Sequence, residues 1–308
     1  MLSESPVYVM IEKVFNSVIE RFYGGEIDRD EARSIVEKYI PRATGVDMRL
    51  VGKGYNILAM LSYTRGDMKT ALENFGQAKT SFETAEDPAG IASALNNMGD
   101  VHRKLGDMDA AIHHYEQVQA VAQSASLDRT YAFALCNAGM AYLEKGDPQR
   151  AIELMEKGVG LTDARVDWHD DNVKRLLTEA LSRLGIAYAN AGDFEKGKEY
   201  ANRARFHVKQ QTDAQGLADV YSALIEITMM ENPKDERLVE YFDECMKAWQ
   251  KLGSELEIAK LYVRQGDYYT VNDEKANAAI AYFEAIKRFE AAKREDDVKT
   301  VQEKLPAT

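Results

Sequence analysis

The feature that most constrains this chain is a short turn motif that recurs at a nearly fixed interval. Gly-Asp or a related pair stands at Gly25-Glu26, Gly66-Asp67, Gly106-Asp107, Gly146-Asp147, Gly192-Asp193, Asn232-Pro233 and Asn272-Asp273. From Gly25 the successive steps are 41, 40, 40, 46, 40 and 40 residues. A fixed period of this size is the sequence signature of stacked supersecondary units, so the sequence predicts a solenoid.

Both sides of the central Gly106-Asp107 turn have the apolar spacing of an amphipathic helix. The apolar faces comprise Leu95, Met98, Val101, His102 and Leu105 before the turn, and Met108, Ala111, Ile112 and Tyr115 after it. We expect Gly to adopt the left-handed conformation that ends the first helix and Asp to cap the second. In the two later turns Asn is expected to take the role of Gly. Each unit is therefore predicted to be a helix hairpin.

Composition and charge argue against several classes of function. The 39 basic and 51 acidic residues give a net charge of -12, which disfavours non-specific binding to nucleic acid or anionic membranes. Cys136 and Cys245 lie far apart within apolar helical patterns and are predicted to be buried thiols of a reducing compartment. No apolar run has the length of a membrane span, and the first residues lack the pattern of a signal peptide. We therefore expect a cytoplasmic protein.

The chain is predicted to have three parts. Residues 1–46 form a degenerate helix hairpin, in which Ser5-Pro6 begins the first helix and Pro41 stops the second. This hairpin is interpreted as a cap, or alternatively as a small effector bundle. Residues 47–291 form a superhelix of six hairpins, and residues 292–308 form a C-terminal capping helix with Val298, Val301 and Leu305 as its apolar stripe.

Three segments of the chain share one pattern of residues, and this pattern resembles a known repeat. They read ALNNMGDVHRKLGDMDAAIHHYEQV, ALCNAGMAYLEKGDPQRAIELMEKG and ALSRLGIAYANAGDFEKGKEYANRA. Each has a large apolar residue, an apolar-small pair, an aromatic position (His102, Tyr142 or Tyr188), the Gly-Asp turn and a small residue in the second helix. The pattern resembles the tetratricopeptide repeat, and the period is similar to that of the long-helix branch of this family, which includes adaptors with Leu-Gly-Asn repeats and bacterial peptide-sensing regulators. The resemblance implies an all-α, right-handed solenoid of about seven helix hairpins with a C-terminal capping helix.

The resemblance also implies a binding surface, because tetratricopeptide arrays bind peptides or helices along a concave groove lined by their first helices. Mapping that face onto this chain gives Asn56, Asn96, Asn97, Asp100, Arg103, Lys104, Phe133, Asn137, Met140, Arg183, Tyr221 and Arg264. Asn56, Asn97 and Asn137 form a ladder on neighbouring helices, and their amides can pair with the backbone of an extended peptide. In the alternative interpretation these residues bond to the adjacent hairpin.

These observations predict a non-enzymatic scaffold or adaptor that binds a protein or peptide. Arginine and lysine beside methionine and isoleucine in the groove favour a partner with acidic and apolar residues. The acid-tail clamp of chaperone-binding relatives is absent, since only Asn97 fits it. No catalytic motif is visible, and neither a cofactor nor a metal is predicted.

One alternative is an intracellular signalling or transcription regulator that senses a peptide or partner protein through its repeats. Bacterial peptide-controlled phosphatases resemble such a regulator and use a Gln of an N-terminal helix bundle to hydrolyse a phosphoryl-aspartate. The first Gln of this chain is Gln77, beyond the N-terminal hairpin, so this activity is not expected. A further alternative is self-association through the end hairpins. The segment Thr162–Asn172 is longer than its counterparts and contains carboxylates, His169 and Trp168. Its spacing matches no defined metal site, whereas Trp168 is a candidate interface anchor.

Overall fold

The computed structural model describes residues 5–163, 171–209 and 213–305, and the regular structure in these ranges is entirely α-helical. The expected all-α solenoid of helix hairpins is confirmed. The fifteen helices in the described ranges are α1 (Pro6–Tyr23), α2 (Arg29–Thr44), α3 (Met48–Arg65), α4 (Met68–Thr84), α5 (Pro88–Lys104), α6 (Met108–Ser124), α7 (Asp128–Lys145), α8 (Pro148–Asp163), α9 (Asp171–Asn190), α10 (Phe194–Lys209), α11 (Ala214–Glu231), α12 (Arg237–Leu252), α13 (Glu255–Val271), α14 (Lys275–Ala291) and α15 (Glu295–Gln302).

The helices group into two compact units, an N-terminal unit (Met1–Thr162) and a C-terminal unit (Asp163–Thr308). In the N-terminal unit the first helices α1, α3, α5 and α7 pack side by side, and α2, α4 and α6 pack against them. In the C-terminal unit α9 packs against α11, and α15 packs on α14. The three-part division predicted from the sequence stays a prediction. No described helix combines the length and apolar composition that a bilayer-spanning segment needs.

The Gly-Asp turns have the geometry expected of them. Gly66, Gly106, Gly146 and Gly192 have φ angles of 86°, 80°, 91° and 88°, in the left-handed region. The Asp after each glycine accepts a hydrogen bond from a backbone N–H three residues later, as Asp107 Oδ1 does from Ala110 at 3.1 Å. These contacts satisfy amides that the start of a helix leaves without partners.

The two later turns differ from expectation. Asn232 has an extended backbone, with φ -147°, and Asn272 has φ -86°. The left-handed residue of the last turn is Asp273, with φ 62°, because α13 continues to Val271 and shifts the turn by one position. The prediction that Asn adopts the left-handed conformation is therefore wrong at both sites.

The N-terminal hairpin agrees with the sequence at its starts but not at its end. Ser5 and Asp28 accept hydrogen bonds from the N–H groups of Tyr8 and Glu31, so they cap α1 and α2 as expected. Pro41 does not stop α2, which continues to Thr44. A proline in the last turn removes one helical hydrogen bond, and the helix continues for three residues, of which Ala43 is buried.

Two hairpins, one in each unit, share a packing device. The ring of Tyr115 on α6 lies against Gly99 on α5, where a Cβ atom would be 2.6 Å from a ring carbon. In the C-terminal unit a Cβ atom at Gly266 would be 2.4 Å from the ring of Tyr282. Each Tyr is almost fully buried, and its hydroxyl donates to the Asp after the glycine. The helices of both hairpins can approach closely because these positions carry no side chain.

The two cysteines are buried thiols, as the sequence predicted. Cys136 lies on α7 and Cys245 on α12, with exposed fractions of 5% and 0%. Burial raises the pKa of the Cys245 thiol to about 11, because an apolar environment disfavours the thiolate.

Candidate functional site

The central polar residues predicted for the groove mostly contact one another. Asn137 Nδ2 on α7 donates to Asn96 Oδ1 on α5 at 2.7 Å, and Asn96 Nδ2 donates to Asp100 Oδ2 at 3.1 Å. Asp100 Oδ1 also accepts the hydroxyl of Tyr115 at 2.6 Å. Burial, followed by the charge of Asp100, raises the pKa of Tyr115 well above its usual value. Asn137 thus makes the contact to the adjacent hairpin that the alternative interpretation described.

The two basic residues of α5 also contact neighbouring first helices. Arg103 Nη1 donates to Glu144 Oε1 on α7 at 2.7 Å. Lys104 Nζ lies 4.4 Å from the centroid of the Tyr63 ring on α3, within range of a cation–π interaction. Both cations therefore stabilise contacts between hairpins, which leaves them less available to an external carboxylate.

Two of the apolar residues predicted for the groove are almost fully buried. Tyr221 is 2% exposed and packs in the core, with its ring centroid 6.1 Å from that of Tyr241. Met140 is 6% exposed, whereas Phe133 is half-buried. In α11 the residues that face open space are instead Asp219, Ser222 and Glu226. They are the polar positions of a mostly apolar helix, and this spacing was the signal in the sequence that could have identified them.

In the C-terminal unit, α9, α11 and α13 line a cavity of about 440 Å³, with Trp249 of α12 at its wall. We call this space the charged cavity. Arg183 and Arg264, both predicted for the groove, line it together with side chains that sequence reasoning missed. Its ionisable lining residues are Glu179, Arg183, Asp219, Glu226, Glu257, Lys260 and Arg264.

Several of these charges are paired, and one carboxyl group is strongly perturbed. Arg264 Nη2 contacts Glu226 Oε2 at 3.0 Å, and Lys260 Nζ contacts Glu257 Oε1 at 2.7 Å. Burial, and then the charge of Glu179, raise the pKa of Asp219 to about 6, although Gln215 donates a hydrogen bond to it and Arg183 lies nearby. A carboxyl group with this pKa changes charge close to neutral pH.

A second pocket lies in the N-terminal unit and has a different character. It has a volume of about 370 Å³ and lies between α1, α3 and α5. We call it the apolar pocket. It contains two predicted groove residues, Asn56 and Asn97, together with Asn16. The Oδ1 atom of Asn56 is buried and has no hydrogen-bond partner. The remaining lining residues are Phe15, Val18, Ile19, Phe22, Tyr23, Lys53, Ile57, Met60 and Leu61.

The predicted features of the long connection between α8 and α9 lie outside the described residues. They are Asp167, Trp168, the candidate interface anchor, His169 and Asp170, whereas Asp163 ends α8 and Asp171 begins α9. Among the residues whose positions are described, no group of three or more His, Cys, Asp or Glu side chains has an arrangement suited to a metal ion.

Comparison with known proteins agrees with the resemblance seen in the sequence. Residues 90–162 match the family model described as tetratricopeptide repeat. The apo form of RapI has 11% sequence identity and a TM-score of 0.72, with 92% of this chain and 99% of that chain covered. A Rap protein complexed with competence and sporulation factor has 12% identity, 96% coverage of both chains and a TM-score of 0.60.

The apo form of the quorum sensor NprR from B. thuringiensis has 15% identity and a TM-score of 0.62, with 96% of this chain and 85% of that chain covered. A search of curated proteins finds no significant match. Identities this low establish a shared fold alone. Residues 90–162 therefore match the tetratricopeptide repeat, and the chain as a whole shares the α-solenoid fold of these solved structures.

Proposed function

We propose that this chain is a non-enzymatic scaffold or adaptor that binds an extended peptide or partner segment against the first helices of its hairpins. The observation that carries the proposal is the charged cavity. Three successive first helices, α9, α11 and α13, present polar and charged side chains to one open space. Burying an ionisable group away from water costs free energy, so the presence of Asp219 in this cavity supports a role in binding.

The chemistry of the partner follows from the charges that remain available. Arg103 and Lys104 contact Glu144 and Tyr63, and Arg264 is paired with Glu226, so the affinity for acidic residues rests on Arg183. Asp219 and Glu179 lie in the same cavity and favour basic groups. We therefore propose a polypeptide partner that carries charges of both signs, with apolar residues between them.

A second candidate function is that of a regulator that senses a peptide or partner protein in the cytoplasm. The solved structures that resemble this chain over most of its length support it, because they include a quorum sensor and a Rap protein complexed with competence and sporulation factor. In either case we propose binding rather than catalysis. The charged cavity contains ion pairs and amides, and none of its described lining residues forms a nucleophile–base pair.

Selection of binding peptides tests the proposal. Random 12-residue peptides displayed on phage are panned against the full chain, and a selected peptide is labelled for fluorescence anisotropy. Arg183→Glu should weaken its binding at least tenfold, because the substitution reverses a charge in the cavity. The control Lys299→Glu, on α15 and outside the cavity, should leave the affinity unchanged. Failure to select any peptide, or equal affinity for Arg183→Glu and the wild type, would contradict the proposal.

A further inference from the structure

The apolar pocket has features of a second binding site, independent of the charged cavity. Large apolar side chains surround its opening and remain in contact with water. Ile19, Tyr23 and Met60 are 40%, 64% and 36% exposed. Isolated exposed apolar residues are ordinary on a protein surface, but a contiguous set around a cavity is typical of an interaction site.

The polar groups of this pocket are amides contributed by three different helices. Asn16, Asn56 and Asn97 lie on α1, α3 and α5. The buried Oδ1 atom of Asn56 has no hydrogen-bond partner, which is unfavourable for a strong acceptor. The torsion that orients a carboxamide is soft, so this amide can turn its acceptor towards a donor that enters the pocket.

The charge and size of the pocket restrict what it can bind. Lys53 is the one lining residue in the described set with a formal charge, and its ammonium is paired with Glu12. Nothing in the lining therefore favours an ionic group. A volume of about 370 Å³ is near the lower end of the range for ligand sites, and one large apolar side chain fits such a space.

The exposed rim distinguishes a polypeptide from a small molecule. A small ligand that filled the cavity would leave the outward-facing parts of Ile19 and Tyr23 in water, whereas a chain that continues on both sides of an anchor residue would cover them. We propose that the apolar pocket receives one large apolar side chain, such as Phe or Leu, of a partner polypeptide whose adjacent backbone groups hydrogen-bond to Asn56 and Asn97. This inference rests on the proposed binding of a polypeptide by the first helices, but the pocket is tested separately from the charged cavity.

Methionine methyl resonances provide a direct test. The full chain, labelled with ¹³C at its methionine methyl groups, is titrated with N-acetyl-phenylalaninamide, and the Met60 signal is assigned with Met60→Leu. We expect the Met60 signal to shift saturably, whereas the signal of Met230 in the C-terminal unit stays fixed. N-acetyl-glycinamide should shift neither. An unmoved Met60 signal, or an equal effect of the glycine compound, would overturn the proposal.

Two further measurements identify the occupant and the residues that hold it. The peptide acetyl-Ala-Ala-Phe-Ala-Ala-amide should bind at least threefold more tightly than N-acetyl-phenylalaninamide, and equal affinity would identify a small-molecule site instead. Ile19→Arg should lower the affinity for the peptide at least fivefold. The matched control Val239→Arg, at a position 49% exposed on α12, should not. A similar loss in both variants, each checked for native helicity by circular dichroism, would refute the anchor pocket.

Discussion

The two units use the polar residues of their first helices in different ways. In the N-terminal unit Asn96 bonds Asn137 and Arg103 pairs with Glu144, so neighbouring hairpins satisfy one another. In the C-terminal unit Arg264 likewise pairs with Glu226, but the corresponding helix faces also line the charged cavity, where the pKa of Asp219 is raised. Position in a repeat alone therefore does not separate a residue that joins hairpins from one that faces a ligand. Which of the two roles a residue has depends on whether a side chain of the next hairpin contacts it.

One packing contact between the two helices of a hairpin occurs in both units. The hairpins with the Gly99–Tyr115 and Gly266–Tyr282 contacts have identical hydroxyl–carboxylate pairing, at 2.6 Å and 2.8 Å. Asp267 additionally accepts from Lys304, beyond the end of α15, at 2.8 Å. One hairpin of each unit thus shares this contact, although the inner faces of the two units differ.

The largest effect on stability is expected from removing the buried tyrosine ring of either Gly–Tyr contact. Tyr115→Ala should lower the free energy of unfolding by about 3–5 kcal/mol, because it removes a fully buried ring and leaves a cavity. Tyr282→Ala should lower the free energy of unfolding by a similar amount if the Gly99–Tyr115 and Gly266–Tyr282 contacts are equivalent. Tyr115→Phe, which removes only the hydroxyl, should cost about 1 kcal/mol. Hydrogen exchange of the helices in each hairpin measures these losses, and a Tyr115→Ala cost below that of Tyr115→Phe would contradict the account.

The next effect concerns Asp219 and depends on pH. Because its pKa is raised from 3.8 to about 6, the carboxylate is less favourable in the folded chain than in the unfolded one. This penalty is fully present above pH 6 and is relieved as the pH falls towards 4. Asp219→Asn should therefore stabilise the chain at pH 8 by about 1–3 kcal/mol and give no gain at pH 4.

Urea denaturation at several pH values measures this difference. The matched control Asp243→Asn, on the exposed side of α12, should not alter the pH dependence. If Asp219→Asn lowers stability at pH 8, the carboxylate is stabilised by contacts in the cavity. The contrast between the two units would then lose its main support.

A smaller difference in stability is expected between substitutions of Asn137 and Asn97 in the N-terminal unit. Asn137→Ala removes the donor to Asn96 and should cost about 1 kcal/mol of stability. Asn97→Ala, at the wall of the apolar pocket, should cost less than about 0.5 kcal/mol, since Ala is the better helix former. Thermal denaturation of the two variants, measured in parallel, tests the order. The reverse order would place the hairpin contact at Asn97.

The smallest expected effect is a gain. The connection from α4 to α5 places Glu86 at φ 51°, whereas the connection from α12 to α13 uses Gly253 at φ 65°. Glu86→Gly should stabilise the N-terminal unit by about 0.5–1 kcal/mol, because glycine adopts this conformation without steric cost. Ala85→Gly, at φ -85°, should destabilise it. Denaturant midpoints of both variants give the answer, and a loss in Glu86→Gly would show that its side chain matters more than its backbone.

The sequence predicted what local chemistry determines. The Gly66, Gly106, Gly146 and Gly192 turns and the Asp caps follow from φ preferences and orphan amides, and all were found as expected. The residues of the candidate site depended on contacts between hairpins, which a single sequence does not show. Mapping the tetratricopeptide pattern places Tyr221 in the groove, but α11 is apolar around most of its circumference, so its inner face cannot be located from apolar residues. Pro41 is predicted to stop α2, because the packing of Ala43 beyond it is a tertiary contact that a single sequence does not show.

The burial of both cysteines has a practical consequence for measuring motion in this protein. A maleimide dye needs an accessible thiolate, which neither Cys136 nor Cys245 provides in the folded chain. A cysteine introduced at Phe206 or Ile280, which are 65% and 63% exposed, would therefore react selectively without prior removal of the native pair. Two such positions within the C-terminal unit would carry a donor and an acceptor fluorophore. Energy transfer between them would report whether a peptide changes the spacing of the hairpins.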